Sequence, residues 1–211
     1  KMAAGDQQYI NKYSQSLLID IFHKVCEAVA YAHSKGIIHL DLKPDNIQVS
    51  SYGEVLLCDW GLAKILDEFC ESADIERYSL NCFDLNNMTI DGYVKGTPGF
   101  MAPEQTGGAG RVKDRRTDIY ALGAILYTLL TGEKIYDANN LEEYISKVRS
   151  GNIMPPSQKC PQLRIPAGLE AVCLKSLALK PDERYSHAEE LCGELSSYFG
   201  GFATEAEEAS Y

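Results

Sequence analysis

The residues best suited to chemistry lie in one stretch, His39 to Gly61, which reads HLDLKPDNIQVSSYGEVLLCDWG. Its reactive members are Asp41, Lys43, Asn46 and Asp59. Asp41 and Lys43 are two positions apart, so on an extended loop their side chains project to the same side. A carboxylate in such a place can orient a hydroxyl and accept its proton. The ammonium beside it is a compact positive charge for an anionic group. Asn46 and Asp59 add hard oxygen atoms of the kind Mg²⁺ takes as ligands. Singly, each of these residues is also an ordinary turn former, because Asp and Asn near proline, and an Asp-aromatic-Gly triplet, are common where chains turn.

These residues need elements to hold them. Ile47 to Val49 and Val55 to Cys58 are strand-like runs separated by Ser50-Ser51-Tyr52-Gly53, which predicts a hairpin returning Asp59-Trp60-Gly61 beside the loop. Upstream, Leu18, Ile21, Phe22, Val25, Val29 and Ala32 recur at helical spacing, with Ser14 or Ser16 as cap and Gly36 as left-handed stop. Downstream, Thr117 caps a helix to about Leu130 whose apolar residues surround its axis, so it must be buried on all sides. Asn140 with Glu143 opens another helix, ending at Gly151. Ala167 to Leu179 forms the next, and Ser186 with Glu189 is a capping box for the last, which runs to Phe199.

The order of the motifs resembles that of a protein kinase. His39-Leu40-Asp41-Leu42-Lys43-Pro44-Asp45-Asn46 is similar to the family's catalytic loop and Asp59-Trp60-Gly61 to its metal-binding turn. Gly96-Thr97-Pro98-Gly99-Phe100-Met101-Ala102-Pro103-Glu104 is similar to its substrate-binding floor. DWGLAK and MAPEQ suggest the bacterial serine/threonine type. By this resemblance Asp41 would be the base, Lys43 would contact the γ-phosphate of ATP, and Asn46 and Asp59 would hold Mg²⁺. Gln48 would lie under the adenine. Thr97 would bond to Asp41 and Lys43, a feature of Ser/Thr specificity, and Phe100 to Ala102 would line the pocket beside the acceptor residue. His39 and Trp60 would be structural supports, Asp118 would accept from catalytic-loop amides, and Arg184 would pair with Glu104. An exposed arginine is the alternative for Arg184, and such a pair would then contribute little.

The fold the resemblance implies is α+β and mainly α: a kinase C-terminal lobe with a small β-hairpin region. Residues 1–13 would be the end of a preceding helix or a linker, 14–199 the lobe, with 59–104 as activation segment, and 200–211 an acidic mobile tail with too little apolar surface to pack. Before His39 there is no Gly-rich phosphate loop and no strand lysine. The N-terminal lobe would therefore be absent and the chain a fragment, inactive alone, whose missing lobe is a partner in the same parent protein.

Three departures from the pattern matter. Leu40 replaces an arginine that usually receives an activation-loop phosphate, so activity is expected not to depend on phosphorylation of Ser72, Ser79 or Thr89 through the catalytic loop. The alternative is that Lys64 or Lys95 substitutes, and Tyr78 and Tyr93 are further candidate phosphoacceptors. Gln48 puts a polar group where an apolar adenine floor is usual. Trp60 replaces phenylalanine within the same aromatic role.

Composition narrows the partners. A net charge of −10 argues against nucleic acid and anionic membrane. No apolar run is long enough to insert in a bilayer. Seven cysteines without a C-x-x-C pair fit reduced thiols in the cytoplasm, or in the cytoplasmic part of a larger, membrane-anchored protein. Three functions compete: a protein serine/threonine kinase acting on a protein substrate, a pseudokinase or docking scaffold suggested by Leu40 and Gln48, and a small-molecule phosphotransferase, which the peptide-floor motif disfavours.

Overall fold

The computed structural model describes residues 14–66, 99–107 and 112–209. Thr97, Lys95, the five candidate phosphoacceptors and residues 1–13 lie outside the described residues.

The first helix of the described residues, α1 (Gln15–Ser34), starts at Ser14, whose Oγ accepts from the Leu17 amide at 3.3 Å. Just beyond its end, Gly36 takes φ 72°, which costs glycine nothing. Ile19, Cys26, Ala30 and His33 join the predicted apolar positions in a wide buried stripe, while Ile21 is only partly covered. Strand β1 (Ile37–Ile38) follows, and the chain then enters the loop bearing Asp41 and Lys43.

A single 3₁₀ turn, Pro44–Asn46, delivers the loop into β2 (Ile47–Val49), which pairs antiparallel with β3 (Val55–Leu57) in the register Ile47↔Leu57 and Val49↔Val55. This is the predicted hairpin, closed at Gly53 with φ 78°. A second pair is formed by β1 and β4 (Lys64–Ile65). Nothing in the two-residue runs signalled it, because so short a ladder depends on the chain returning to the end of α1.

The central pillar is α2 (Arg115–Thr131), buried at every position from Thr117 to Thr131. Its cap corrects the expectation of Thr117. Asp114 Oδ1 accepts from the Arg116 amide at 2.8 Å and the carboxylate also binds the Arg116 side chain, so the helix begins earlier and Thr117 lies inside it. Gly123 lets a neighbouring helix come close: a Cβ there would sit 2.7 Å from the Ser176 Cβ. Next come α3 (Leu141–Ser150), capped by Asn140 and stopped by Gly151, and the single turn α4 (Pro156–Lys159).

Helix α5 (Ala167–Ser176) stops short of the predicted Leu179, since the carbonyls of Ala178 and Leu179 turn to the Arg184 guanidinium. The last long helix, α6 (Ala188–Phe199), lacks the expected Ser186–Glu189 capping box. His187 occupies the cap position, and the Ser186 amide instead donates to Glu190 at 3.4 Å.

The tail also departs from expectation. Residues 205–208 form a short helix, α7 (Glu205–Glu208), with Thr204 and Ala206 buried. Besides the buried Ala206 methyl, a polar contact seats it: the buried Glu194 carboxylate accepts from the amides of Glu205 at 2.8 Å and Ala206 at 3.1 Å. Thus α7 rests on α5, α5 on α2, and α1 lies between α2 and α6. The described residues make a helix-rich body with two small antiparallel sheets, and none of their helices is long and apolar enough to cross a membrane.

Candidate active site

The site is built on the loop between β1 and β2. Lys43 Nζ lies 2.9 Å from Asp41 Oδ2, with both side chains largely covered. Asn46 Nδ2 donates to the Asp41 carbonyl at 2.9 Å and to its carboxylate at 3.3 Å. These contacts fold the loop into a knot with Asp41 at its centre. The rigid Pro44 and the 3₁₀ turn set the spacing.

Asp59 reaches the same region through the hairpin. The Cys58 amide donates to the Asn46 carbonyl at 2.8 Å, one step beyond the Ile47↔Leu57 pair, so Asp59 follows directly beside Asn46. Asp59 adopts φ 59°, a left-handed conformation that aspartate tolerates better than most residues, and accepts weakly from the Gly61 amide at 3.4 Å.

The donor set fits Mg²⁺. The Asn46 amide turns its nitrogen to Asp41, so its oxygen is the atom that could ligate, and Asp59 is an exposed carboxylate. Among the described residues no three His, Cys, Asp or Glu side chains converge on one point, unlike a protein-only metal cage. Two hard oxygens, with phosphate and water oxygens completing the shell, are what Mg²⁺ commonly uses.

Asp118 supports the loop from below. It is buried at the start of α2, where its Oδ2 accepts from the His39 amide at 2.8 Å and its Oδ1 from the Leu40 amide at 2.8 Å. His33 Nε2, at the end of α1, lies 2.9 Å from the same carboxylate. Hydrogen bonds to a charged group contribute about 1.5–3 kcal/mol each. Together they outweigh the roughly 1–2 kcal/mol that a left-handed leucine costs, and Leu40 does hold φ 64°.

His39 is a fixed tautomer. Its Nδ1 accepts from the Asp41 amide at 3.3 Å, so Nε2 carries the proton it donates to the Cys58 carbonyl at 3.1 Å. Trp60 packs against this ring at 4.5 Å between centroids with the planes tilted by 45°, and its Nε1 donates to the Leu57 carbonyl at 3.1 Å. Gln48 sits exposed on β2 opposite Leu56 and makes no part of the Asp41 knot.

The floor is fastened from two sides. Arg184 makes a fork with Glu104 at 2.8 and 3.0 Å, almost wholly buried, and also donates to the carbonyls of Ala178, Leu179 and Arg116. Gln105 donates from Nε2 to the Leu40 carbonyl at 2.8 Å. The alternative of an exposed Arg184 is thus excluded. Thr97 lies outside the described residues.

Two supporting residues, His33 and Gln105, escaped the sequence reading. For His33 a signal existed: it is a polar side chain on the apolar stripe, four residues after Val29. Gln105 carries no local signal beyond its place after Glu104.

Comparison with known proteins gives the family. Residues 4–195 match the model of the protein kinase domain family. The chain is 38% identical over 184 residues to the serine/threonine-protein kinase PknD of Protochlamydia amoebophila, covering 87% of this chain and 18% of that protein. It is 36% identical over 195 residues to PknD of Chlamydia pneumoniae, covering 92% of this chain and 20% of that one. PknD of Chlamydia trachomatis serovar D is 38% identical over 197 residues, with 90% and 20% covered. The chain therefore spans about a fifth of the length of these curated relatives. With that match spanning residues 4–195, the chain belongs to the protein kinase domain family.

Proposed function

We propose that the complete protein transfers the γ-phosphoryl group of ATP to serine or threonine hydroxyls of protein substrates, using Mg²⁺. The observation that carries this reading is the Asp41–Lys43–Asn46 knot, set beside Asp59 and tied through Gln105 to the floor segment. Bound Mg²⁺ would neutralise charge on the phosphate oxygens, held by the Asn46 amide oxygen and the Asp59 carboxylate. Asp41 orients the acceptor hydroxyl and takes its proton. Lys43, paired with Asp41, presents a positive charge to the transferring group. Serine and threonine are favoured over tyrosine because the floor segment carries Thr97 in the family's position.

In this reading the 211 residues are the large lobe, and a small lobe supplies the Gly-rich loop and strand lysine. Its support is the apolar rim next to the site, where Leu56 is 61% and Trp60 38% exposed. A reducing, cytoplasmic setting is supported by five free cysteines among the described residues. The scaffold reading rests on Leu40 and Gln48. It is the weaker one, since the loop is posed by backbone bonds to Asp118 and Gln105 that need no arginine side chain.

The test is phosphoamino-acid analysis after incubating the full-length protein with labelled ATP, Mg²⁺ and a mixed protein substrate. Phosphoserine or phosphothreonine is expected, and none from residues 1–211 alone. Phosphotyrosine only, or no transfer by the full-length protein, would overturn the proposal.

A further inference from the structure

Leu40 is the one non-glycine residue of the catalytic loop itself, among the described residues, held at positive φ. Its Cβ crowds the following carbonyl in that conformation, so something must fix both ends of the residue. The amide end is bound to Asp118 Oδ1 at 2.8 Å. The carbonyl end accepts from Gln105 Nε2 at 2.8 Å, and Gln105 Oε1 meanwhile accepts from the Ala102 amide at 2.9 Å. Gln105 is only 6% exposed, so these bonds have little competition from water.

The Leu40 carbonyl and the Asp41 amide belong to one planar peptide unit. That amide donates to His39 Nδ1 at 3.3 Å. Fixing the carbonyl therefore fixes the plane from which the Asp41 side chain departs. The same glutamine reads the Ala102 amide of the floor, whose next turn is pinned by Arg184 through Glu104. One buried amide thus joins the floor to the base.

We propose that Gln105 is a positioning residue for phosphoryl transfer: it holds the Leu40–Asp41 peptide in the orientation that aims the Asp41 carboxylate, and couples that orientation to the floor. This rests on the kinase reading above. The bond is a donor's role, so charge and shape can be separated. Gln105→Glu keeps the size and the acceptor for Ala102 but turns an oxygen toward the Leu40 carbonyl. Gln105→Leu removes both bonds. Leu40→Gly removes the strain, because glycine takes positive φ freely.

The experiment uses the full-length protein with ATP, Mg²⁺ and one protein substrate, and reads kcat, the KM for ATP, and hydrogen exchange at the Leu40 and Asp41 amides. For Gln105→Glu, kcat is expected to fall by about tenfold or more with the KM for ATP changed less than about threefold, and both amides to exchange at least about tenfold faster. Adding Leu40→Gly to Gln105→Leu should restore at least about threefold of the lost kcat. This pair decides the matter should the glutamate variant fail to fold. A wild type that transfers phosphate while Gln105→Glu stays within about threefold in kcat, or a Gln105→Leu loss that Leu40→Gly does not relieve, would overturn this inference alone. A wild type that transfers none would overturn the kinase reading, and this inference with it.

Discussion

Replacing Arg184 with alanine should destabilise the chain more than any exposed charge change could. The guanidinium is 0% and Glu104 7% exposed at the side chain, and they meet as a fork at 2.8 and 3.0 Å. Arg184→Ala leaves the Glu104 carboxylate buried without that partner and strips the carbonyls of Ala178, Leu179 and Arg116 of a donor. It also empties the space over the Tyr120 ring, which the guanidinium covers at 5.0 Å. Breaking a buried pair in this way costs about 3–5 kcal/mol. For a domain of this size that corresponds to a melting temperature lower by roughly 6–20 °C. Urea titrations followed by helical circular dichroism would measure it, with Glu104→Gln and the double variant closing a cycle. The carbonyls are expected to keep the double variant from recovering fully, with a coupling of at least about 1 kcal/mol between the two sites. A loss below about 1 kcal/mol in Arg184→Ala, the range of a surface pair, would mean that the buried fork does not hold the fold.

Asp114→Ala should cost about 0.5–2 kcal/mol as a lost cap of α2. Burial raises the Asp114 carboxyl, but hydrogen bonds from the Arg116 side chain and amide outweigh it and hold the group below its ordinary 3.8. A lowered carboxyl stabilises the fold above the unfolded value and ceases to do so as pH falls through the folded one. The stability gap between wild type and Asp114→Asn should therefore be flat above about pH 5 and shrink below about pH 4, and a gap that grows on acidification would contradict this. Gly123→Ala should destabilise by about 1–3 kcal/mol in the same titrations, because its Cβ would meet Ser176 at 2.7 Å and Leu177 at 3.0 Å. A neutral outcome would mean that α5 moves away freely. Glu194→Leu should release α7, with limited proteolysis near Gly200 and Gly201 faster by at least about tenfold, as bonds to a charged group contribute about 1.5–3 kcal/mol. Unchanged cleavage would show that α7 is held by other contacts.

What could be read from the sequence was what local pattern encodes. The α1 stripe and its Gly36 stop, the Asn140 cap with Gly151, the hairpin and the all-round burial of α2 each follow from periodicity or turn chemistry within a few residues. Errors arose where a distant partner decides. Asp114 displaced Thr117 as cap because Arg116 folds back on it. Helix α5 ended early because Arg184 claims the carbonyls of Ala178 and Leu179 just beyond it. The tail packs although it is acidic, since a buried carboxylate on α6 receives its amides. Gln105 and His33 were missed for the same reason: their roles are bonds to Leu40 and Asp118, residues 65 and 85 positions away.

Whether Asp41 is the base of a phosphoryl transfer is tested most directly by single-turnover transfer in the full-length protein, wild type against Asp41→Asn. Asparagine keeps the size and an acceptor for Lys43 but cannot take the hydroxyl proton, so the melting profile should hardly move while the transfer step slows by about 10²–10⁴-fold. A transfer rate within about threefold of wild type in a folded Asp41→Asn protein would contradict the account.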